Sequence, residues 1–184
     1  MSKIDAAVSI ENVVACGTLN QKIDLNAVKK VHPSVKYRPE QFPGLVFRLR
    51  KPKTATLIFS TGKMVCTGAK SERDAKKAVF NVIRELKRSG IVIIGKPELR
   101  IVNIVASASL GGMIDLEKAA FTLGRTMYEP EQFPGLIYRM DDPKVVILIF
   151  TSGKLVCTGA KTEEDVYRAV EKLNEKLEKD QVIY

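Results

Sequence analysis

The chain has 184 residues, 45% hydrophobic and 28% charged, an ordinary globular composition with ample apolar material for a core. No stretch approaches the roughly 20 consecutive apolar residues of a membrane span, and the opening MSKIDAAVSI lacks the basic-then-apolar succession of a secretory signal, so an intracellular, soluble protein is expected. A formal net charge of +9 suits a polyanionic partner without identifying one. Three cysteines, Cys16, Cys66 and Cys157, odd in number and without a C-x-x-C pair, suggest neither a disulfide framework nor a zinc site.

One repeat organises the rest. At an offset of 91 residues, the segment beginning YRPEQFPGL at Tyr37 pairs without a gap with the segment beginning YEPEQFPGL at Tyr128, and about half the columns are identical. The same offset pairs IENVVA at Ile10 with IVNIVA at Ile101, and Asp24-Leu25 with Asp115-Leu116. Two copies, 1–91 and 92–184, therefore fill the chain, which suggests two lobes about a pseudo-two-fold axis rather than a solenoid.

In chain order, IENVVACGTL reads as a strand, and a short helix follows from Asp24. The β-branched and aromatic runs GLVFRLR, TATLIFS and KMVCTGA read as three more strands, punctuated by turns at Lys51-Pro52 and Thr61-Gly62-Lys63. A long helix then starts at the N-cap Ser71 with Asp74 three residues on, buries Ala75, Ala78, Val79, Val82, Ile83 and Leu86, and ends near Gly90. The second copy repeats the series, with a short helix from Asp115 and a long one from Thr162 that buries Val166, Ala169, Val170, Leu173 and Leu177.

Strand side chains two apart share a face. Leu57 with Phe59, Val65 with Thr67, and Asn12 with Val14 therefore point one way in the first copy; Leu148 with Phe150, Val156 with Thr158, and Asn103 with Val105 do so in the second. Val13, Ile58, Met64, Cys66 and Cys157 fall on the opposite face, suited to packing under the long helices. One helical layer per copy does not easily cover both sides of a sheet, so the first face is expected to be an exposed binding surface. Amide and hydroxyl groups set among valine and leucine suit the floor of a DNA minor groove, where adenine N3 and thymine O2 accept hydrogen bonds.

The run QFPGL at Gln41 and again at Gln132, each followed by LIF, then TGK or SGK, then CTGAK, resembles the duplicated core of the TATA-box-binding protein family across nearly the whole chain. That resemblance implies an α+β saddle, a curved antiparallel sheet of ten strands with four helices on its convex side, whose concave side binds the minor groove of TATA promoter DNA as a monomer. It implies that Phe42 with Phe59, and Phe133 with Phe150, are wedges entering base steps, a device for which this family is itself an example. Asn12 and Asn103 match the hydrogen-bonding asparagines at the centre of the site, with Thr67 and Thr158 beside them; Val14, Leu57, Val65, Val105, Leu148 and Val156 match the apolar groove contacts. Transcription factor B and the RNA polymerase assembly are the implied protein partners. The almost absent leader and the QFPG of both loops look archaeal, which implies a cytoplasmic, nucleoid-associated protein, or a nuclear one in a eukaryote.

Arg48 and Arg139, Lys53 and Lys144, and Lys63 and Lys154 are cations kept in both copies, which makes them the candidates for phosphate contacts. Elsewhere the copies diverge: residues 1–91 carry 18 Lys or Arg and 7 Asp or Glu, residues 92–184 carry 12 and 14. Arg38 becomes Glu129, Arg50 becomes Asp141 and Lys51 becomes Asp142. In the family the loop of the second repeat holds transcription factor B, so Glu129, Glu131, Gln132 and Leu136 are candidate contacts for it.

An enzyme is the main rival class, but the sole histidine, His32, precedes a proline and reads as an ordinary surface side chain, and no catalytic or metal-ligand cluster is evident. Gly111-Gly112 lacks phosphate-loop spacing. No cofactor or metal is called for. A single-strand or RNA binder that stacks bases on the phenylalanines, and a protein-interaction module on the same fold, are the other readings. A dimer formed without DNA would hide the same apolar face.

Overall fold

The computed structural model describes residues 7–184; the first six residues, on which the signal and leader readings partly rest, lie outside the described residues. The first copy forms β1 (Val8–Thr18), α1 (Leu25–Val31), β2 (Leu45–Arg50), β3 (Lys53–Ile58), β4 (Lys63–Ala69) and α2 (Glu72–Arg88). The second forms β5 (Glu98–Ser109), α3 (Leu116–Thr122), β6 (Thr126–Met127), β7 (Leu136–Met140), β8 (Val145–Ile149), β9 (Lys154–Ala160) and α4 (Glu163–Lys179). The paired registers within β1–β4 and within β5–β9 are antiparallel, and the hydrogen-bonded strand order is β2-β3-β4-β1-β5-β9-β8-β7-β6.

The sheet thus has nine strands, not the expected ten. The missing one is the first-copy counterpart of β6, which shrinks to the isolated bridge Lys36–Val46. The cause is local. The Val35 N–H closes a turn onto His32 O at 3.1 Å and its carbonyl accepts from Lys29 Nζ at 2.7 Å, so the chain enters the bridge directly from a turn, whereas in the second copy Arg139 N–H donates to Arg125 O at 3.1 Å and carries the pairing past Thr126. Position 120, the counterpart of Lys29, is an alanine with no such donor, and Thr126 pairs with Tyr138 as a regular strand residue.

The chain divides into two compact units, Asn12–Val102, and the residues up to Glu11 together with Asn103–Tyr184. The division falls inside β1 and β5, not at the 91/92 boundary of the copies. Both strands are long, and their two ends serve different units. Glu11, for example, accepts a hydrogen bond at 2.8 Å from Ser107 of its own unit.

In each unit a helix layer covers one face of the strands. Ser71 and Thr162 cap α2 and α4 by accepting from the N–H groups of Asp74 and Asp165 at 3.0 and 3.1 Å, and Asp24 and Asp115 cap the short helices in the same way. The buried residues of the long helices are those the 3.6-residue spacing selects: Ala75, Ala78, Val79, Val82, Ile83 and Leu86 in α2, and Val166, Ala169, Val170, Leu173 and Leu177 in α4. Beneath them lie Val13, Ile58, Met64 and Cys66 in one unit and Ile104, Ile147, Ile149 and Cys157 in the other, all wholly or almost wholly buried. After α2, Gly90 adopts a positive φ; its counterpart after α4 is Gln181 at φ 56°, a left-handed residue whose strain is about 1 kcal/mol.

His32 is not the plain surface residue the sequence suggests. It caps the C-terminus of α1, is half-buried, lies edge-on to Phe47 with ring centroids 5.1 Å apart, and shares a hydrogen bond between its Nε2 and Ser89 Oγ at the end of α2.

All three cysteines are buried and free. Burial pushes the Cys66 thiol up, and that of Cys157 to about 11 from an ordinary value of 9.0. The folded state then keeps the Cys157 proton to a higher pH than the unfolded chain does. Its contribution to stability is complete below pH 9 and is lost as the pH rises toward 11. Urea unfolding should give a lower free energy at pH 10.5 than at pH 8, with a smaller decline in Cys157→Val; an equal decline in both proteins would show that this thiol does not contribute.

Candidate nucleic-acid interface

The uncovered face can be followed across the strands by register. In the first copy Val46, Leu57 and Val65 stand directly opposite one another on β2, β3 and β4, and Cys16 of β1 continues the row. Arg48, Ala55 and Thr67 form the next row. The second copy repeats both, as Ile137, Leu148, Val156 and Ser107, then Arg139, Val146 and Thr158 with Val105. Every predicted groove residue (Asn12, Val14, Leu57, Val65, Thr67, Asn103, Val105, Leu148, Val156 and Thr158) is half-buried, while residues of opposite parity on the same strands are buried under the helices. A surface is therefore present in each copy where two-sided burial would have left none.

The asparagines have a specific structural cause for their position. β4 and β9 each carry a bulge at the glycine of CTGA, where Gly68 and Gly159 take φ 101° and 100°, a conformation side chains other than glycine's rarely adopt. A bulge leaves an N–H outside the ladder. Asn12 Oδ1 accepts that of Gly68 at 2.7 Å, and Asn103 Oδ1 accepts that of Gly159 at 2.7 Å. Because an N–H can only donate, the amide orientation is chemically determined: the oxygen faces the bulge and the NH₂ faces the threonine. Asn12 Nδ2 lies 3.0 Å from Thr67 Oγ1, and Asn103 Nδ2 lies 3.3 Å from Thr158 Oγ1. Each threonine hydroxyl also lies within donating range of its asparagine Oδ1, at 3.3 Å for Thr67 and 3.4 Å for Thr158, so its hydrogen can be held within the pair, while the second amide hydrogen of each asparagine is left to be offered outward. Each copy thus presents an amide donor beside a hydroxyl that can either donate or accept.

At the end of each apolar row stands a phenylalanine pair. Phe42 and Phe59 meet edge to face with centroids 5.9 Å apart, and Phe133 and Phe150 do the same at 5.9 Å. Phe42 is 43% and Phe133 37% exposed, large values for aromatic rings. The loop glycine seats each pair: a Cβ on Gly44 would fall 2.7 Å from Phe42 and 3.1 Å from Phe59, and one on Gly135 would fall 2.8 Å from Phe133 and 3.0 Å from Phe150. Glycine is thus required by close approach of the rings, which explains the G of QFPGL.

The six predicted cations are all exposed, and all share the parity of this face. Arg48 and Arg139 lie on the strands before the hairpin turn, Lys53 and Lys144 just after it, and Lys63 and Lys154 open β4 and β9 opposite Thr18 and Ser109. Sequence reasoning missed Val46 and Ile137, which the register puts squarely on the face and which lie two residues before Arg48 and Arg139. It also missed Lys70 and Lys161, exposed cations of the GAK motif kept in both copies. Retention in both copies was the signal that would have found them.

The loops carrying the phenylalanines have the same backbone in the two copies: Gln41 and Phe42 donate to Arg38 O at 3.0 Å, Gln132 and Phe133 to Glu129 O at 2.9 and 3.0 Å. Only the charge changes, from Arg38 to Glu129. Glu129, Glu131 and Gln132 are exposed, but Leu136 is wholly buried opposite Ile149 and packs in the core, so it is unavailable to a partner. Among the described residues no group of three or more His, Cys, Asp or Glu is arranged to hold a metal ion, and no helix is long and apolar enough to cross a membrane.

Known proteins match this arrangement throughout. The family model described as "Transcription factor TFIID (or TATA-binding protein, TBP)" matches residues 7–89 and again 98–179. The TATA-box-binding protein of Pyrodictium occultum is 60% identical over 171 residues, covering 93% of this chain and 86% of that protein. That of Archaeoglobus fulgidus is 50% identical over 175 residues, 94% of this chain and 96% of its own. The solved structure of Methanococcus jannaschii TBP superposes with a TM-score of 0.82 at 49% identity, covering 94% of this chain and 99% of that one. The duplicated sheet face, the repeated family match and this similarity over nearly full length agree, and the chain belongs to the TATA-box-binding protein family, a family of transcription factors and not of enzymes.

Proposed function

We propose that this protein is a general transcription factor that binds the minor groove of TATA-box promoter DNA, opens base steps with its phenylalanine pairs, and nucleates an initiation complex with transcription factor B and RNA polymerase. The observation that carries this reading is the donor pair held by each glycine bulge. Asn12 beside Thr67, and Asn103 beside Thr158, have amide hydrogens left to offer, their oxygens being held by the bulge N–H groups. Adenine N3 and thymine O2 accept them, whereas the 2-amino group of guanine would set donor against donor and leave groups unsatisfied at a cost of about 1–3 kcal/mol. Val14, Leu57, Val65 and their counterparts Val105, Leu148 and Val156 would lie against sugars and base edges. Phe42 with Phe59 and Phe133 with Phe150 are the wedges.

The phosphates fall to Arg48, Lys53 and Lys63 in one copy and Arg139, Lys144 and Lys154 in the other, with Lys70 and Lys161 added from the structure. The protein acts on DNA as a monomer in this reading, and it works in the archaeal cytoplasm, since the relatives named above are archaeal. Transcription factor B would dock on the loop of Glu129, Glu131 and Gln132, whose backbone copies that of its basic counterpart while its charge is inverted.

Three outcomes are expected. The double variant Phe59→Ala, Phe150→Ala should bind a TATA duplex about tenfold more weakly or worse, from lost apolar burial, and should no longer bend it in an end-to-end energy-transfer assay; unchanged bending would refute the wedges. The slope of log affinity against log salt should be roughly −7 for eight phosphate contacts at about −0.9 each, and a slope near zero would remove the phosphate assignment. In a gel shift, Glu129→Arg with Glu131→Arg should lose the ternary complex with transcription factor B while keeping binary DNA binding. Equal loss of both would indicate misfolding instead of a partner site.

A further inference from the structure

The copies keep their phosphate-facing cations, yet at the turn between β7 and β8 they differ in a paired way. Arg50 of the first copy becomes Asp141 in the second, and Ser34 becomes Arg125. These two changes meet in space: the Arg125 guanidinium forms an ion pair with the Asp141 carboxylate, and both side chains are more than half exposed. They stand at a cleft of about 640 Å³ that also takes in Arg139, Lys144 and Lys161. The neighbouring acid, Asp142, is neutralised from the helix side. Arg168 and Lys172 of α4 contact it at 2.7 and 3.5 Å and hold its carboxyl below the usual range, the Arg168 hydrogen bond being the larger cause. Asp165, which also lines the cleft, is paired with Arg168 at 3.0 Å, so Asp141 is the lining acid whose counter-ion comes from outside α4, and Arg125 is the group set against it.

Resting on the function proposed above, we infer that this cleft seats a DNA backbone phosphate and that Arg125 is a positioning residue that cancels Asp141 there. The first copy reaches the same end with an arginine at position 50 and a neutral serine at position 34. Asp141 alone would repel the phosphate that Arg139, Lys144 and Lys161 attract, and Arg125 offsets that repulsion. The pair is a tuned version of the first-copy arrangement, and swapping both residues to their first-copy identities should therefore be tolerated where changing Arg125 alone is not.

The test is binding of the full chain to a fluorescent TATA duplex over a salt series, with a G·C duplex as reference. Arg125→Ser should weaken TATA binding about eightfold at 0.1 M salt and flatten the salt slope by about 0.9, the effect of losing one phosphate contact. Arg125→Ser with Asp141→Arg should bind at least as tightly as the original protein, and Asp141→Asn alone should also bind more tightly, a gain that misfolding cannot produce. If the double variant is as weak as Arg125→Ser, or if Asp141→Asn gains nothing, the inference is overturned while the proposed function stands. If the unaltered protein shows no preference for the TATA duplex over the G·C duplex, both fall together.

Discussion

A strand alternates its side chains between two faces, and in each unit of this protein helices cover only one of them. Most other features follow from that constraint. Residues of one parity, such as Val13, Ile58, Met64 and Cys66, are free to be purely apolar because they are wholly buried. Residues of the other parity must tolerate water when unbound and still be able to lose it, so they are valine and leucine interrupted by asparagine, threonine and a rim of lysine and arginine. The glycine bulge completes the design by giving each asparagine an obligatory partner at 2.7 Å, which fixes what its amide can offer to anything else.

Duplication makes the two copies each other's control. What the groove requires is kept at the 91-residue offset: the bulge glycines, the asparagine and threonine of the donor pair, the seated phenylalanines and the cations of the rim. On the face itself the copies differ by small exchanges such as Cys16 for Ser107 and Ala55 for Val146, whereas changes of charge such as Arg38 to Glu129 and Arg50 to Asp141 fall at a loop and a turn. The turn acids Asp141 and Asp142 appear together with Arg125, Arg168 and Lys172, where the first copy has serine, lysine and asparagine at positions 34, 77 and 81. Thus the charge inversion at that turn is largely met by local counter-charges, whereas Glu129 replaces Arg38 on an unchanged backbone. Such a replacement alters what the loop attracts without altering its shape.

The helices were legible because their signals are local: the caps Ser71 and Thr162 and the spacing of the buried positions are written within single segments. The uncovered sheet face was legible because period-two alternation and the repeat reinforce one another. What escaped depends on contacts between segments. The tenth strand shrinks to a bridge where Val35 closes a turn onto His32 and Lys29 reaches back to the Val35 carbonyl, contacts no propensity encodes. His32 is drawn in by Ser89, 57 residues away. Leu136 is adjacent to an exposed loop in sequence, yet the register with Ile149 turns it into the core. Val46 lies on the edge strand β2 and Ile137 on β7, next to the edge strand β6, and their pairing across to Leu57 and Leu148 is what places them on the face.

The central claim is that the donor pairs at Asn12 with Thr67 and Asn103 with Thr158 read the minor groove by its acceptors. The most direct measurement is affinity for a TATA duplex in which the A·T pairs are replaced by hypoxanthine·cytosine pairs, compared with the same replacement by G·C. Hypoxanthine·cytosine keeps the minor-groove acceptors of A·T but carries the major-groove pattern of G·C. The account predicts that the hypoxanthine duplex binds nearly as tightly as TATA and the G·C duplex far more weakly. Equal loss on both substituted duplexes would mean that the protein reads something other than the minor-groove edge, and would contradict the account.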